Sequence, residues 1–330
     1  MILSLIGAAL IGAVITVIAG IVLIPALRRL KAGQSIKENG PVWHMHKQGT
    51  PTMGGLMFIA AITITSLCLC MRELASGELA HVAMLALALI YGAIGFLDDF
   101  EKVRKKGNTG LTALPKFLLQ LVAALAFLLL LRLEGYITPN LYIPYFNVYV
   151  KLPEVVYFIL AAFIVVGTVN AVNITDGVDG LLSGVTLPVA VFFAFAAFRW
   201  EMRVQGIFAA ALAGSLVGFL IFNFNPAKVF MGDTGSLFIG GAVCALAFSM
   251  DMPLVLIPLG MVYIIETLSD IIQVAYFKLT HGKRIFKMAP IHHHFEKCGW
   301  SEKKLFFVFT GASVVFAVIA WLGVMFRYIG

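Results

Sequence analysis

Apolar residues form long uninterrupted blocks that are separated by short polar segments, and this pattern predicts a chain of membrane-spanning helices. Most blocks match the roughly 17–25 residues that a helix needs to cross a bilayer. We expect the short eighth block to gain residues from its flanks. The blocks lie at residues 2–27, 54–71, 80–97, 117–133, 155–173, 181–198, 205–222, 237–250, 254–277 and 305–327. The predicted fold class is an all-α integral membrane protein with about ten transmembrane helices, forming one domain over residues 1–330.

Lysine and arginine are divided unevenly between the two sets of loops, which predicts the orientation in the membrane. Cytoplasmic loops carry an excess of these residues. One set of loops holds 18 of the 24, and the other set holds only Arg72, Arg132, Lys151, Arg199, Arg203 and Arg327. The richer side is therefore predicted to be cytoplasmic. With an even number of spans, both termini are expected outside.

Composition agrees with this topology and narrows the class of protein. The chain is 61% hydrophobic and 12% charged, whereas soluble domains carry about a quarter charged residues. Its net charge of +7 follows mainly from the orientation, with a further role in attracting anionic lipids and polyanionic substrates. No nucleic-acid motif is visible. The four cysteines have neither disulfide nor zinc spacing, and the outer segment 134–154 predicts a small hairpin.

Five aspartates fall at the predicted cytoplasmic ends of spans: Asp98, Asp99, Asp176, Asp179 and Asp233. Carboxylates near hydrocarbon are costly and usually functional, so we expect one shared site. Adjacent Asp98 and Asp99 repel each other, which favours a bound cation or a raised pKa for one of them. Solvated charges that close a helix are the alternative. Because carboxylates oppose the dipole at a helix C-terminus, a compensating group is expected nearby.

Further polar residues recur where the predicted site would lie. Asn170, Asn173, Asp176 and Asp179 follow one another every three positions, along a helix face and into a glycine-containing turn. Oxygen ligands in this arrangement suit a hard cation or sugar hydroxyls. Asp233 precedes the eighth block, whose N-terminal end is a ready anion site. It either caps that helix or holds a metal that bridges phosphate.

Three consecutive histidines, His292, His293 and His294, lie in a loop rich in Lys and Arg. Neighbouring side chains diverge, whereas zinc sites on helices space their histidines. We therefore expect imidazoles that donate to phosphate, with a solvated polar loop as the alternative. Other polar positions that support a site on this side are Lys47, the helix-opening Thr52 and Lys116, and the shared helix face of Glu266, Asp270 and Gln273, of which Glu266 is predicted to lie deepest.

Carboxylates, lysines, histidines and helix N-termini on one face fit Mg²⁺-assisted phosphoryl transfer, in which the cation and the basic groups neutralise phosphate charge. Neither a Walker A loop nor a kinase signature is present. A site at the cytoplasmic membrane surface suits a soluble donor and a lipid acceptor. A secondary transporter is the rival class. Its coupling residues usually lie near the bilayer midplane in repeated halves, whereas the five aspartates here fall at predicted cytoplasmic ends of spans.

Five motifs carry a resemblance to a known superfamily. They are PTMGG at 51–55, GFLDDF at 95–100, NAVNITDGVDGL at 170–181, NFNPAKVFMGDTGS at 223–236 and MAPIHHHFEKCGWSE at 288–302. In this order, over nearly the whole chain, they resemble the polyprenyl-phosphate N-acetylhexosamine-1-phosphate transferases. The histidine motif is the most specific, and it is similar to that of the phospho-N-acetylmuramoyl-pentapeptide transferase (MraY) family.

The resemblance implies a Mg²⁺-dependent reaction in the bacterial inner membrane, by a homodimer. UDP-N-acetylmuramoyl-pentapeptide and undecaprenyl phosphate would give lipid I and UMP. A related UDP-N-acetylhexosamine-1-phosphate polyprenyl transferase is the alternative. The implied catalytic residues are Asp98, Asp99, Asp233 and His292, with Asp233 and Asp99 at the metal. The implied substrate-binding residues are Lys47, Thr52, Lys116, Asn170, Asn173, Asp176, Asp179, Asn223, Phe230, Gln273, His293 and His294. Direct transfer and a covalent intermediate both stay open, as do the third residue of the peptide and the inhibitors bound.

Overall fold

The computed structural model describes residues 1–30, 47, 49–105, 107 and 110–327. Lys31, Lys37 and Lys106, which count toward the predicted orientation, lie outside these residues. The helices are α1 Ile2–Arg29, α2 Gly55–Leu69, α3 Met71–Ala75, α4 Ala80–Arg104, α5 Ala113–Leu133, α6 Glu154–Thr175, α7 Leu181–Arg199, α8 Arg203–Asn223, α9 Gly232–Ser249, α10 Leu256–Leu259, α11 Met261–Leu279, α12 Ile291–Glu296 and α13 Glu302–Val324. Strands β1 Asn140–Ile143 and β2 Val148–Lys151 follow α5.

The protein is an all-α integral membrane protein, as the apolar blocks predicted. Within the described residues, eight helices are long and apolar enough to span a membrane, and α10 with α11 forms a ninth candidate. This candidate is bent by 76° at its break, which the continuous block 254–277 did not predict. The apolar helix α2 has 15 residues and is short for a span. The total of ten spans and the orientation stay predictions.

Two helix boundaries differ from the predicted blocks in ways that affect the site. The eighth block was expected to lengthen, and α9 does begin early, at Gly232. The third block was expected to end beside Asp98 and Asp99, but α4 continues to Arg104. The expectation that these two carboxylates close a helix is therefore wrong, because the polar residues after them remain helical and place Lys102 on the same surface.

Helices α4 and α9 pack closely because small residues lie between them. A Cβ atom added at Gly95 of α4 would come within 2.0 Å of the carbonyl oxygen of Asp233. Farther along the same contact, a Cβ at Gly241 would lie 3.1 Å from the Cα of Ala88. Small residues let helix backbones approach closely in a bilayer, where packing drives association. This contact brings the N-terminal turn of α9 against the part of α4 that carries Asp98 and Asp99.

The segment before α2 is held against the segment before α9 by main-chain hydrogen bonds. The Gly54 amide donates to the Phe230 carbonyl at 2.8 Å, and the Phe230 amide donates to the Pro51 carbonyl at 2.8 Å. The Gly55 amide donates to the Met231 carbonyl at 3.0 Å. The N-terminal ends of α2 and α9 are therefore neighbours at the same end of the bundle.

The predicted hairpin is present, and it packs at the end of α13 away from Glu302. Strands β1 and β2 are antiparallel, with Asn140 opposite Lys151. The Tyr145 amide of the connecting turn donates to the Gly323 carbonyl at 2.7 Å. The guanidinium of Arg327 lies 4.7 Å from the ring centre of Tyr142, an attractive cation–π geometry.

Replacement of Gly95 by alanine should test the α4–α9 contact. We expect Gly95→Ala to lower the free energy of unfolding by about 1–3 kcal/mol, the usual cost of overpacking, because the carbonyl that it would strike belongs to the main chain. Gly167→Ala on α6 is the matched control, since a Cβ there meets nothing within 4 Å. Thermal unfolding in detergent measures both, and equal melting temperatures would contradict the packing argument.

Cysteine labelling should report the orientation. In a background in which the exposed Cys68 and Cys298 are serine, Ile2→Cys should react with a membrane-impermeant maleimide from outside the cell. Gly107→Cys should react only from the cytoplasm, because its loop belongs to the basic set. Reaction of both cysteines from one side would overturn the orientation.

Candidate active site

Three carboxylates from two helices converge at the α4–α9 contact. Asp98 and Asp99 lie on α4, and Asp233 lies in the first turn of α9. One oxygen from each lies within 4.8 Å of the others. Asp98 is 3% exposed and Asp99 is 2% exposed, so water screens their charges weakly. The structure thus brings together three of the five aspartates that the sequence singled out.

Two lysines neutralise most of this negative charge. The Lys116 ammonium, at the start of α5, lies 2.6 Å from Asp233 and 3.5 Å from Asp98. The Lys102 ammonium lies 2.6 Å from Asp98, 3.1 Å from Asp233 and 3.7 Å from Asp99. From the sequence, Lys102 was expected only to be one of the basic loop residues that set the orientation. Its spacing of three and four residues from the two aspartates on one helix could have indicated these pairs.

Asp99 caps the N-terminus of α9 from the neighbouring helix. Its carboxylate accepts from the Thr234 amide at 2.9 Å, the Thr234 hydroxyl at 2.7 Å and the Asp233 amide at 3.2 Å. These amides have no partners within α9. Gly232 has a φ of +71°, and a Cβ there would lie 2.4 Å from Asp99. Of the two predicted alternatives for Asp233, capping by its own side chain is wrong, because Asp99 supplies the cap.

The polar face of α6 reaches this cluster through one residue. Asn173 donates to the Asp233 carboxylate at 3.1 Å and to the Ser236 hydroxyl at 2.7 Å. Asn170 lies one turn deeper and donates instead to the side-chain oxygen of Gln120 at 2.7 Å. Asn173 therefore orients the Asp233 side chain, whereas Asn170 makes a separate polar pair between α5 and α6.

Asp176 lies just beyond α6, in the turn that precedes α7. Burial, together with the charges of Asp233, Asp99 and Asp179, raises the pKa of the Asp176 carboxyl to about 8. The negative charges of the cluster thus contribute to the raised pKa of a fourth carboxyl group. Its predicted role toward phosphate and sugar is consistent with this position, since a protonated carboxyl can donate a hydrogen bond.

A second polar cluster surrounds Asp179. The Lys47 ammonium lies 2.7 Å from Asp179 and 2.6 Å from Glu302, which opens α13. Asp179 also accepts from the Ala227 amide at 2.9 Å. Asn223 accepts from the Gly180 amide at 3.1 Å. These contacts connect Lys47 to the residues at the ends of α7, α8 and α13. Glu302 was not predicted as a member of the cluster, because no local spacing relates it to the other residues.

Thr52 and Phe230 lie in the paired segments that precede α2 and α9. A Cβ added at Gly232 would lie 2.7 Å from the Thr52 hydroxyl, so this hydroxyl borders the Asp99 cap. Phe230 is half-buried, and its main chain pairs with the segment before α2. Both residues therefore belong to the pairing that sets the N-terminal end of α2 beside that of α9.

The three histidines diverge, and they begin a short helix rather than a loop. His292 is buried, with Nδ1 2.9 Å from Glu266. His293 has Nδ1 2.6 Å from Glu296, and His294 accepts from the Lys287 amide at 3.1 Å. The solvated-loop alternative is wrong for His292, because the ring is enclosed between α11 and the turn after α6.

Gln273 holds the segment that leads to the histidines. Its side-chain oxygen accepts from the Ile285 amide at 3.1 Å and the Phe286 amide at 3.0 Å, and its nitrogen donates to the Phe286 carbonyl at 3.0 Å. All of these partners are main-chain groups. The structure thus places Gln273 as a support of the 285–286 segment and not beside the three carboxylates.

The carboxylate cluster has the donor set of a hard-cation site. Mg²⁺ is usually bound through one or two carboxylates together with substrate phosphates. Three carboxylate oxygens within 4.8 Å of one another supply more than that number. Asp233 accepts from the ammonium groups of Lys102 and Lys116, whose charges a bound cation could replace. The chemistry of these residues therefore fits the metal.

Comparison with known proteins identifies the family. Residues 81–251 match the model of glycosyl transferase family 4, and residues 47–59 match a phospho-N-acetylmuramoyl-pentapeptide-transferase signature. A Clostridium acetobutylicum protein of that name is 44% identical over 96% of this chain and 98% of its own. The Staphylococcus aureus protein is 46% identical over 96% of this chain and 98% of its own. The chain belongs to the phospho-N-acetylmuramoyl-pentapeptide transferase family.

The family matches fall on the two polar clusters. The stretch 81–251 contains α4, α9 and the carboxylates between them, and the signature contains Lys47 and Thr52. The histidine segment and α13 lie beyond both matches, but the near full-length relatives span them. The chain is therefore a transferase, and its convergent carboxylates lie in the region that defines the wider family.

Replacement of Asp233 by asparagine should separate charge from shape at the cluster. We expect Asp233→Asn to lower turnover by about 10²–10³-fold, the loss seen when one preorganised electrostatic group is removed, and to change its Mg²⁺ dependence. The protein should still fold. Glu101→Gln on α4 is the matched control, because Glu101 pairs with Arg104 and Lys105 outside the cluster. Unchanged turnover and Mg²⁺ dependence in Asp233→Asn would contradict this assignment.

Proposed function

We propose that the protein transfers phospho-N-acetylmuramoyl-pentapeptide from its UDP conjugate to undecaprenyl phosphate, with Mg²⁺, giving lipid I and UMP. The observation that carries this proposal is the meeting of three carboxylates and two lysines at the α4–α9 contact. Such a group of charges suits the transfer of a phosphoryl group, whose oxygens need neutralisation. The names of the relatives supply the identity of the sugar.

The two lysines are the groups that would meet the donor phosphates. In the protein alone they pair with the carboxylates, so their charges are already positioned. Lys116 is 19% exposed and Lys102 is 31% exposed at the side chain, which leaves both within reach of an incoming phosphate. When bound, Mg²⁺ supplies a Lewis acid that neutralises charge on the phosphate oxygens. Asp99 and Asp233 are the residues that would hold it, with Asp98 beside them.

Asp98 is the proposed general base for a direct transfer. A lipid phosphate has a second pKa near 6, so the acceptor is mostly dianionic at pH 7. A base is then needed only modestly, and its usual contribution is about 10²–10⁴-fold. The Asp98 carboxylate is held by Lys102 at 2.6 Å and by the Leu111 amide at 2.9 Å. Attack by this carboxylate on the donor, giving a covalent intermediate, is the alternative mechanism.

The Asp179 cluster is the proposed binding site of the uridine end. Lys47 pairs with Asp179, Asn223 accepts from the adjacent Gly180 amide, and Asn225 donates to Asp179 at 3.2 Å. A backbone amide, an ammonium and an amide side chain in one place can recognise a nucleobase and a ribose by hydrogen bonds. We propose that the donor extends from Asp179 to the carboxylates and passes the Thr52 hydroxyl, which borders the Asp99 cap.

We also propose that the enzyme acts as a homodimer in the bacterial inner membrane, with its active site on the cytoplasmic face. The resemblance supports the dimer, and the excess of Lys and Arg in one set of loops supports the orientation. A secondary transporter is disfavoured, because the three carboxylates meet where α4 packs on the N-terminus of α9 and the relatives are named transferases.

The deciding experiment is a donor assay with purified protein, Mg²⁺, undecaprenyl phosphate and a panel of UDP-sugars. UMP release should be fastest with UDP-N-acetylmuramoyl-pentapeptide, and UDP-N-acetylglucosamine is the matched control donor. Preference for the control donor would favour a related transferase instead. In delipidated enzyme we expect no exchange of labelled UMP into the donor, because direct transfer needs the acceptor. Exchange that disappears in Asp98→Asn would make Asp98 the nucleophile.

A further inference from the structure

A buried histidine–carboxylate pair lies beside the proposed site. Nδ1 of His292 is 2.9 Å from the Glu266 carboxylate. The side chains are 1% and 0% exposed, respectively. Among the described residues, Nε2 of His292 and Oε1 of Glu266 are buried without a hydrogen-bond partner. An isolated buried carboxylate is strongly disfavoured, so the histidine is the group that makes Glu266 tolerable there.

The other ring nitrogen is directed at the turn that carries Asp176. A Cβ added at Gly177 would lie 2.1 Å from Nε2 of His292, so the ring packs directly on the Gly177 main chain. Asp176, the preceding residue, senses the charges of Asp99 and Asp233. Nε2 therefore faces the turn that carries Asp176, whereas Nδ1 faces Glu266 on α11.

Glu266 belongs to a helix face that fixes the histidine segment at two points. Helix α11 buries Glu266, Ser269 and Gln273 on this face. The Ser269 hydroxyl donates to the Glu266 carbonyl at 2.6 Å. Two turns along from Glu266, Gln273 holds the main chain at 285–286 through three hydrogen bonds. The segment is thus anchored before α12 by Gln273 and within α12 by Glu266.

We propose that Glu266 is a positioning residue that acts through His292. A carboxylate accepts hydrogen bonds only, so it requires the proton on Nδ1 and leaves Nε2 as the nitrogen that gains or loses a proton. Nε2 finds its partner when a phosphate oxygen of the donor arrives at the Asp176–Gly177 turn. The negative charge of Glu266 stabilises the imidazolium that such a contact needs. This inference rests on the proposed function, in which His292 contacts the donor.

The first test is the kinetics of Glu266→Gln, which keeps the shape and removes the charge. We expect kcat to fall by about 10–100-fold, the range for carboxylate partners of metal-bound histidines, with KM little changed. Glu154→Gln, the same change at an exposed carboxylate that pairs with Arg132, is the matched control and should keep the kcat of the unaltered protein. Thermal unfolding should show that both variants fold. A Glu266→Gln enzyme with normal kcat would overturn the proposal.

Double variants test whether Glu266 works through His292. If it does, Glu266→Gln combined with His292→Gln should be no slower than His292→Gln alone, because residues that act as a unit are not additive. Multiplication of the two single effects would instead show that Glu266 acts independently, which would overturn the proposal.

A spectroscopic test is independent of activity. In protein labelled with ¹⁵N-histidine, the His292 signals are those lost in His292→Gln. We expect a protonated Nδ1 in the unaltered protein and a proton moved to Nε2 in Glu266→Gln. An unprotonated Nδ1 in the unaltered protein would overturn the proposal, regardless of the kinetic results. Failure of the unaltered protein to release UMP from any UDP-sugar would refute the proposed function instead and leave this tautomer test intact.

Discussion

Asp99 accepts hydrogen bonds from the first turn of α9 while it remains part of α4, and the site depends on this contact. The amides at the start of α9 need partners, and the carboxylate supplies them from a helix that packs at backbone distance. Gly95 and Gly232 permit the approach, because a Cβ at either position would strike its neighbour. The helix N-terminus offsets the charge of Asp99, which allows Asp98 and Asp233 to lie close by.

The positive and negative charges of the cluster nearly balance, and each lysine can change its carboxylate partner. Lys102 and Lys116 reach three carboxylates that are buried or nearly so. Neither lysine is confined to one partner, since each lies within 4 Å of two or more carboxylates. A divalent cation would pair with the carboxylates, and the phosphates of a donor would pair with the lysines. No buried charge would then be left without a partner of opposite sign. This is how a site at a membrane surface can admit a polyanion.

The helical membrane class and the convergence of Asp98, Asp99 and Asp233 were predictable from the sequence, because apolar length and charges next to apolar blocks are local signals. The sequence could not predict which acid caps which helix, since Asp99 and Thr234 are 135 residues apart in the chain. The pairing of Lys47 with Glu302 and of His292 with Glu266 was missed for the same reason, because the partners are 255 and 26 residues apart in the chain. The break between α10 and α11 was hidden inside a continuous apolar block, because hydropathy does not report helix direction.

Binding of Mn²⁺, followed by electron paramagnetic resonance in the presence of UMP, tests the central claim most directly. Mn²⁺ shares the preference of Mg²⁺ for oxygen ligands, and the measurement needs no turnover. The convergence of Asp98, Asp99 and Asp233 predicts saturable binding that weakens strongly in each of the three aspartate-to-asparagine variants and persists in Glu101→Gln. Equal Mn²⁺ affinity in all of these variants would contradict a cation site at the α4–α9 contact.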